Sequence, residues 1–225
     1  MGFRSRFSGP GSLDPPTPHP QSSIPDLTPG IGRRYELAAL FLLAVAALAL
    51  RLYSLDDIPT NITADEKDNL QVVFRIQETG QPGFFGLDWK PQPAFSMYLA
   101  REFMRVFGDT AFGLRMPSAI FSVLALFPFY ALIRRVVGVP AGLAAVALLA
   151  TGRWYLHFSR SGWENVQTAF FALLAAWAIT VALERGERRW FVAAGFAAAL
   201  GLYGYFAGRF ILAALLASRL YGKRR

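Results

Sequence analysis

Long apolar runs separated by short polar punctuation set the organisation of this chain. Leu37–Leu50, Met116–Ile133, Val136–Gly152, Val166–Leu183 and Trp190–Gly208 are all free of charge, and a shorter run, Phe210–Leu220, contains Arg219. The middle four approach the length of roughly 20 residues that an α-helix needs to cross a bilayer. The first is shorter, but Tyr35 and Tyr53 can sit at the interfaces while Glu36 and Arg51 reach outward, which extends it to about eighteen. Phe210–Leu220 reads as a partial span, a re-entrant piece, or the start of a helix cut off by the chain end. The pattern predicts an all-α, polytopic membrane protein with about six transmembrane helices.

One large polar stretch, residues 54–115, interrupts this pattern after the first run. It holds nine of the fifteen acids. Asp68–Glu78 places Leu70, Val73, Phe74 and Ile76 at helical spacing, and Ala94–Phe107 does the same with Phe95, Tyr98, Leu99, Phe103 and Val106. A Gly/Pro-rich turn lies between them, from Gly80-Gln81-Pro82-Gly83 to Lys90-Pro91-Gln92-Pro93. Two amphipathic helices lying on the membrane surface are expected here. Residues 1–34 differ again: seven of the fourteen prolines fall within the first 30. That composition cannot bury a core, and with no apolar stretch near its start it predicts a disordered cytoplasmic tail rather than a signal peptide. The membrane module is expected over residues 35–222, followed by a basic cytoplasmic end at 223–225.

Composition agrees with this division. Hydrophobic residues make up 54% of the chain, mean hydropathy is +0.33, and charged residues are only 17%; soluble domains carry about 25%. With no cysteine and two distant histidines, His19 and His157, disulfides, thiolate metal sites and a histidine metal cluster are excluded. The net charge of +8 does not indicate nucleic acid, because the basic residues flank the apolar runs. With the N-terminus inside, Arg33, Arg34, Arg134, Arg135, Arg185, Arg188, Arg189, Lys223, Arg224 and Arg225 all become cytoplasmic. The positive-inside rule is then satisfied throughout, and residues 54–115 and 153–165 face out. A plasma-membrane location is expected.

The outward side collects the residues with chemical potential. Asp65-Glu66 opens the polar stretch, Lys90-Pro91 follows in its turn, and Arg115 leads into the second run. Arg160 and Glu164 lie between the third and fourth runs, and Arg209 lies at the outer end of the fifth beside Tyr203-Gly204-Tyr205. Ionisable groups at a membrane boundary are costly and are usually paired or functional. Together these residues suit group transfer from a lipid-linked phosphate. A carboxylate deprotonates the acceptor hydroxyl, or holds a divalent cation that does so, with Asp65 and Glu164 as the metal-ligand candidates. Cations Lys90, Arg115, Arg160 and Arg209 neutralise the phosphate as its bond to sugar breaks. Plain structural readings exist for each. Asp65 can cap a helix, Arg160 and Glu164 can pair four apart, and Lys90, Arg115 and Arg209 can anchor at the interface. His157 reads as a satisfied interfacial residue, and Trp154, Tyr155 and Trp163 as an aromatic belt.

Ala64-Asp65-Glu66, Gly80-Gln81-Pro82-Gly83-Phe84-Phe85, Trp89-Lys90-Pro91, Phe107-Gly108, Leu114-Arg115-Met116-Pro117-Ser118-Ala119 and Tyr155-Leu156-His157-Phe158-Ser159-Arg160 follow one another in an order that resembles the GT-C glycosyltransferase superfamily. The bacterial relatives of protein O-mannosyltransferases and of lipid A aminoarabinose transferases are the branch it resembles, over about residues 35–220. The resemblance implies an inverting transferase that uses a polyprenyl-phosphate sugar and passes it to an acceptor protein, lipid or glycan on the extracytoplasmic side. It further implies active-site acids at Asp65 and Glu66, phosphate binding by Lys90, and a second acid at Glu164. Members of that superfamily are longer, with further spans and often a soluble C-terminal domain, so a missing C-terminal portion is expected. Two rival classes remain: a non-catalytic membrane scaffold or subunit, and a transporter. A transporter calls for charges or helix breaks at mid-span; Pro128 and Pro140 are the only prolines that qualify, and no acid does.

Overall fold

The computed structural model describes residues 32–83 and 93–208, and all that follows concerns them. They form seven α-helices: α1 (Arg33–Leu52), α2 (Ala64–Thr79), α3 (Phe95–Phe107), α4 (Ala111–Thr151), α5 (Arg153–Ser159), α6 (Asn165–Arg185) and α7 (Arg188–Leu202). A 3-10 turn, Phe206–Gly208, follows, and the described residues contain no strand. The tail at 1–31, Lys90 and the rest of the inter-helix turn at 84–92, and Arg209 with the predicted sixth run lie outside the described residues.

Three helices, α1, α4 and α6, are long and apolar enough to cross a membrane. The protein is an all-α membrane protein. α4 is not one continuous helix, because its 41 residues fold back on themselves at Gly138, where φ is 78° and ψ 177°. A side chain is strongly disfavoured in that conformation, so the turn falls on the glycine. The sequence pattern places the break at Arg134-Arg135. In the structure both arginines are still helical and the turn comes slightly later. Pro140 then sits in the first turn of the returning arm, where its missing N–H breaks no helical bond. The arms are close: a Cβ on Gly142 would stand 3.2 Å from the Tyr130 ring.

α1 packs on this hairpin. Leu40, Ala44 and Ala47 recur at helical spacing and meet Val123, Leu126 and Tyr130 from one arm and Val146 and Ala150 from the other. Its opposite face, with Leu37, Phe41, Leu42 and Val45, is exposed, as befits a surface solvated by lipid. α6 and α7 meet through small residues, Ala175 against Ala197 and Ala198, which let the backbones approach. At fifteen residues α7 is shorter than the predicted run Trp190–Gly208. The chain leaves the helix at Tyr203, and the Tyr205 N–H donates to Thr168 Oγ1 at 2.6 Å, which holds the new direction against α6.

The two ends of the bundle are polar in different ways. At one end Glu36 is buried on α1 and accepts from Tyr130 Oη at 2.9 Å and from Arg134, while Arg135 pairs with Glu184 of α6 at 3.0 Å. At the other end stand the two helices expected from the polar stretch. Their apolar faces close on one another and on the start of α4, through Val72, Val73, Ile76, Met97, Ala100, Met104 and Leu114.

Candidate active site at the start of α2

Thr63 opens α2 with a capping box. Its hydroxyl accepts from the Glu66 N–H at 3.3 Å, and Glu66 Oε2 accepts from the Thr63 N–H at 2.9 Å and from its hydroxyl at 3.2 Å. The N-cap is thus Thr63, and Asp65, the residue that the sequence offers for capping, lies inside the first turn. Adjacent helical residues point about 100° apart, which separates the two acids. Asp65 is exposed, and Glu66 is 0% exposed.

Glu66 is the hub of the site. Its Oε1 accepts from Arg115 Nε at 2.9 Å and from the Gly162 N–H at 2.8 Å, so donors from three segments converge on one carboxylate. Burial pushes that carboxyl up, but hydrogen bonds from Arg115, Thr63 and Gly162, with the Arg115 charge, outweigh it and hold the group below the usual carboxylate range. Gly162 is required by space. A Cβ there would stand 2.7 Å from Leu114 Cγ and 3.5 Å from Glu66 Cγ.

Arg115, 1% exposed, uses its remaining donors on the chain that links α1 to α2. Nη1 donates to the Leu55 carbonyl at 3.0 Å, and Nη2 reaches the Asn61 carbonyl at 3.4 Å. Arg160, 7% exposed, does the same for the end of α1. Its Nη1 donates to the carbonyls of Leu50 and Arg51 at 2.7 and 3.1 Å, and its Nη2 to those of Tyr53, Ser54 and Ile58 at 2.6, 3.2 and 3.0 Å. The Leu50 and Arg51 carbonyls belong to the last turn of α1, which a helix end leaves without intrahelical partners, and the other three belong to the turn that follows it. Burial, and then the Arg115 charge, lower the pKa of Arg160 from its ordinary value.

Glu164 is buried at the N-cap of α6 and accepts from Asn69 Nδ2 at 3.0 Å; the same amide donates to the Gly162 carbonyl at 2.9 Å. The structure therefore brings Asp65, Glu66, Arg115, Arg160 and Glu164 to one end of the bundle, although they come from three separate parts of the sequence. Asn69 was not among the sequence candidates. Its signal was its position, one turn beyond Asp65 and Glu66 on the same helix. Ser118 was also missed; its hydroxyl donates to the Trp163 carbonyl at 2.8 Å and pins the loop to α4. Three buried polar atoms near this layer, Ser96 Oγ, Trp163 Nε1 and Gln167 Oε1, have no hydrogen-bond partner. Among the described residues no three acidic or histidine side chains converge as a metal site.

The family model described as dolichyl-phosphate-mannose-protein mannosyltransferase matches residues 91–225. The undecaprenyl phosphate-alpha-4-amino-4-deoxy-L-arabinose arabinosyl transferases of Pseudomonas paraeruginosa (strain DSM 24068 / PA7) and Pseudomonas aeruginosa (strain UCBPP-PA14) are each 32% identical to this chain over 110 residues. That stretch is 48% of this chain and 20% of each relative, so the likeness spans about a fifth of the relatives' own length. No solved structure matches the chain. The family match covers more than half of the residues, including α3 to α7 and the loop that holds Glu66, and the chain belongs to the dolichyl-phosphate-mannose-protein mannosyltransferase family.

Proposed function

We propose that this chain carries the acidic centre of a GT-C-type inverting glycosyltransferase, which transfers a sugar from a polyprenyl-phosphate donor to an acceptor on the extracytoplasmic side of the plasma membrane. The observation that carries this reading is the division of labour between adjacent acids. Glu66 is buried and held by Thr63, Arg115 and Gly162, and it fixes the start of α2; Asp65, beside it, is exposed. An exposed carboxylate on a rigidly held helix start is suited to general-base work, because its position is set while its reach to a substrate is kept.

In the proposed reaction the Asp65 carboxylate takes the proton of the acceptor's nucleophilic group as that group attacks the anomeric carbon. The bond from this carbon to the phosphate oxygen breaks with inversion, and polyprenyl phosphate leaves with the bonding pair. Lys90 and Arg209 are assigned to the departing phosphate. Arg115 and Arg160, whose donors are directed to Glu66 and to backbone carbonyls, are assigned to positioning, and they add positive potential beneath the site. Glu164, held by Asn69, is the second acid.

The orientation rests on the basic residues. Arg33, Arg34, Arg134, Arg135 and Arg185 gather with Glu36 and Glu184 at the end of the bundle opposite Glu66, and this supports a cytoplasmic N-terminus. The test is transfer of labelled sugar from membrane polyprenyl phosphates, in the given chain and in the longest form its gene encodes. Loss of transfer in Asp65→Asn at unchanged folding supports the assignment. Transfer that survives Asp65→Asn removes Asp65 from the chemistry, and no transfer by any form favours a scaffold or a transporter.

A further inference from the structure

A second site opens on the other side of the loop that holds Glu66. The end of α1, the turn after it, the last residues of α4, α5 and Arg160 enclose a cavity of about 750 Å³, and neither α2 nor α3 contributes to its lining. Arg153 and His157 stand one turn apart on α5, both exposed, and Arg160 lines the cavity beside them. Among the described residues no acid lines the cavity. Asp56, in the adjoining turn, faces away and accepts from the Phe112 N–H at 2.8 Å. Directly behind Arg160 lies Arg51, 0% exposed; its bonds go to Ser122 Oγ and the Ala47 carbonyl, its Nη2 has no partner, and its guanidinium stands 5.5 Å from the Tyr155 ring centre. No carboxylate among the described residues pairs with Arg51, Arg153 or His157. Positive charge is thus stacked in depth behind the cavity with no carboxylate paired to it among the described residues, and Asp57, exposed next to the lining residue Ile58, is the other acid of the adjoining turn.

The rest of the lining gives the height of the cavity in the membrane. Leu50 and Leu156 form an apolar floor continuous with the lipid-facing side of α1, whereas Tyr53 and Trp154, 72% and 75% exposed, stand at its rim. Tyr and Trp at the end of an apolar span mark the headgroup level. A cationic upper wall above an apolar floor at that level is complementary to an anionic amphiphile, with its phosphate against Arg153 and His157 and its acyl chain along Leu50.

We propose that this cavity binds the phosphodiester headgroup of an anionic glycerophospholipid from the surrounding leaflet, at a site separate from the sugar donor. The occupant is assigned to bulk lipid because Asp65 and the whole of α2 lie outside the cavity, so a sugar held there would not meet the proposed base. The inference rests on the membrane-spanning reading of α1, and its choice of bulk lipid over sugar donor rests on the proposed role of Asp65.

The test uses the full chain in nanodiscs of phosphatidylcholine doped with phosphatidylglycerol, with lipid retained after purification measured by native mass spectrometry. Wild type should retain phosphatidylglycerol over phosphatidylcholine and gain thermal stability as its fraction rises. Arg153→Gln should weaken that retention about fivefold, the effect of one interfacial charge, Arg153→Lys should keep it, and Arg153→Gln with His157→Gln should abolish it. Both exposed positions should leave the Tm in pure phosphatidylcholine unchanged. Equal retention of the two lipids by wild type would overturn the proposal, as would equal phosphatidylglycerol retention by wild type and the double variant. Displacement of phosphatidylglycerol by stoichiometric undecaprenyl phosphate would overturn it in favour of a donor site.

Discussion

The Glu66 carboxylate and the Gly162 N–H, 96 positions apart, meet at 2.8 Å, and the same oxygen takes Arg115 Nε at 2.9 Å. This contact joins the helix that bears the acid pair to the loop that bears the second acid. The following expectations test how far the site depends on it.

Replacing Glu66 by Gln removes the charge opposite a buried arginine and one of its acceptors. Breaking a buried pair from one side costs about 3–5 kcal/mol. Glu66→Gln should therefore lower the Tm of the detergent-solubilised protein sharply, whereas Asp65→Asn should leave it within a degree or so. Circular dichroism melts of the two variants distinguish the roles, and a stable Glu66→Gln would contradict the anchoring role.

The acid limb of stability should report on the same group. Because the folded pKa of Glu66 lies below its ordinary 4.5, the carboxylate contributes stability that is complete above the unfolded value and is lost as pH falls through the folded one. Wild type should melt progressively earlier below about pH 4.5. Glu102, lowered by Arg101, adds to that slope, so the diagnostic is the difference between wild type and Glu66→Gln. That difference should shrink as pH falls; a gap that stays constant to pH 3 would mean that the charge on Glu66 is not what stabilises the fold.

Arg160→Lys keeps a cation but loses the planar fork that serves five carbonyls. At about 1 kcal/mol for each hydrogen bond lost, a destabilisation of at least about 2 kcal/mol is expected, with earlier exchange of amides around the end of α1. Hydrogen exchange localised elsewhere would argue against the capping role.

Gly162→Ala puts a methyl 2.7 Å from Leu114 Cγ, on a side chain that is itself 2% exposed. Overpacking of this kind costs about 1–3 kcal/mol. Thermal melts should show the loss, and Leu114→Ala combined with Gly162→Ala should recover part of the clash. If the pair is merely additive, the contact is not the cause.

The sequence by itself determined the membrane class, the helical spans and the two amphipathic helices, because apolar length and 3.6-residue periodicity are local properties that the chain carries wherever it packs. It also put Asp65 and Glu66, Arg115, Arg160 and Glu164 among the candidates, since charges at a membrane boundary stand out against an apolar background. Their separate parts were decided only by tertiary structure. Asp65 and Glu66 are neighbours with the same chemistry, and only the direction of the helix against α4 and the 160–164 loop exposes one and buries the other. Arg115 and Arg160 look like anion-binding cations until the carbonyls of residues 50–61 are folded around them. Those carbonyls belong to the backbone, which is the same at every position, so no residue pattern announces where they will gather. The hairpin turn shows the same division. Arg134 and Arg135 interrupt the hydropathy, but the chain reverses at Gly138, where the backbone can take a positive φ and the arginines can still reach Glu36 and Glu184.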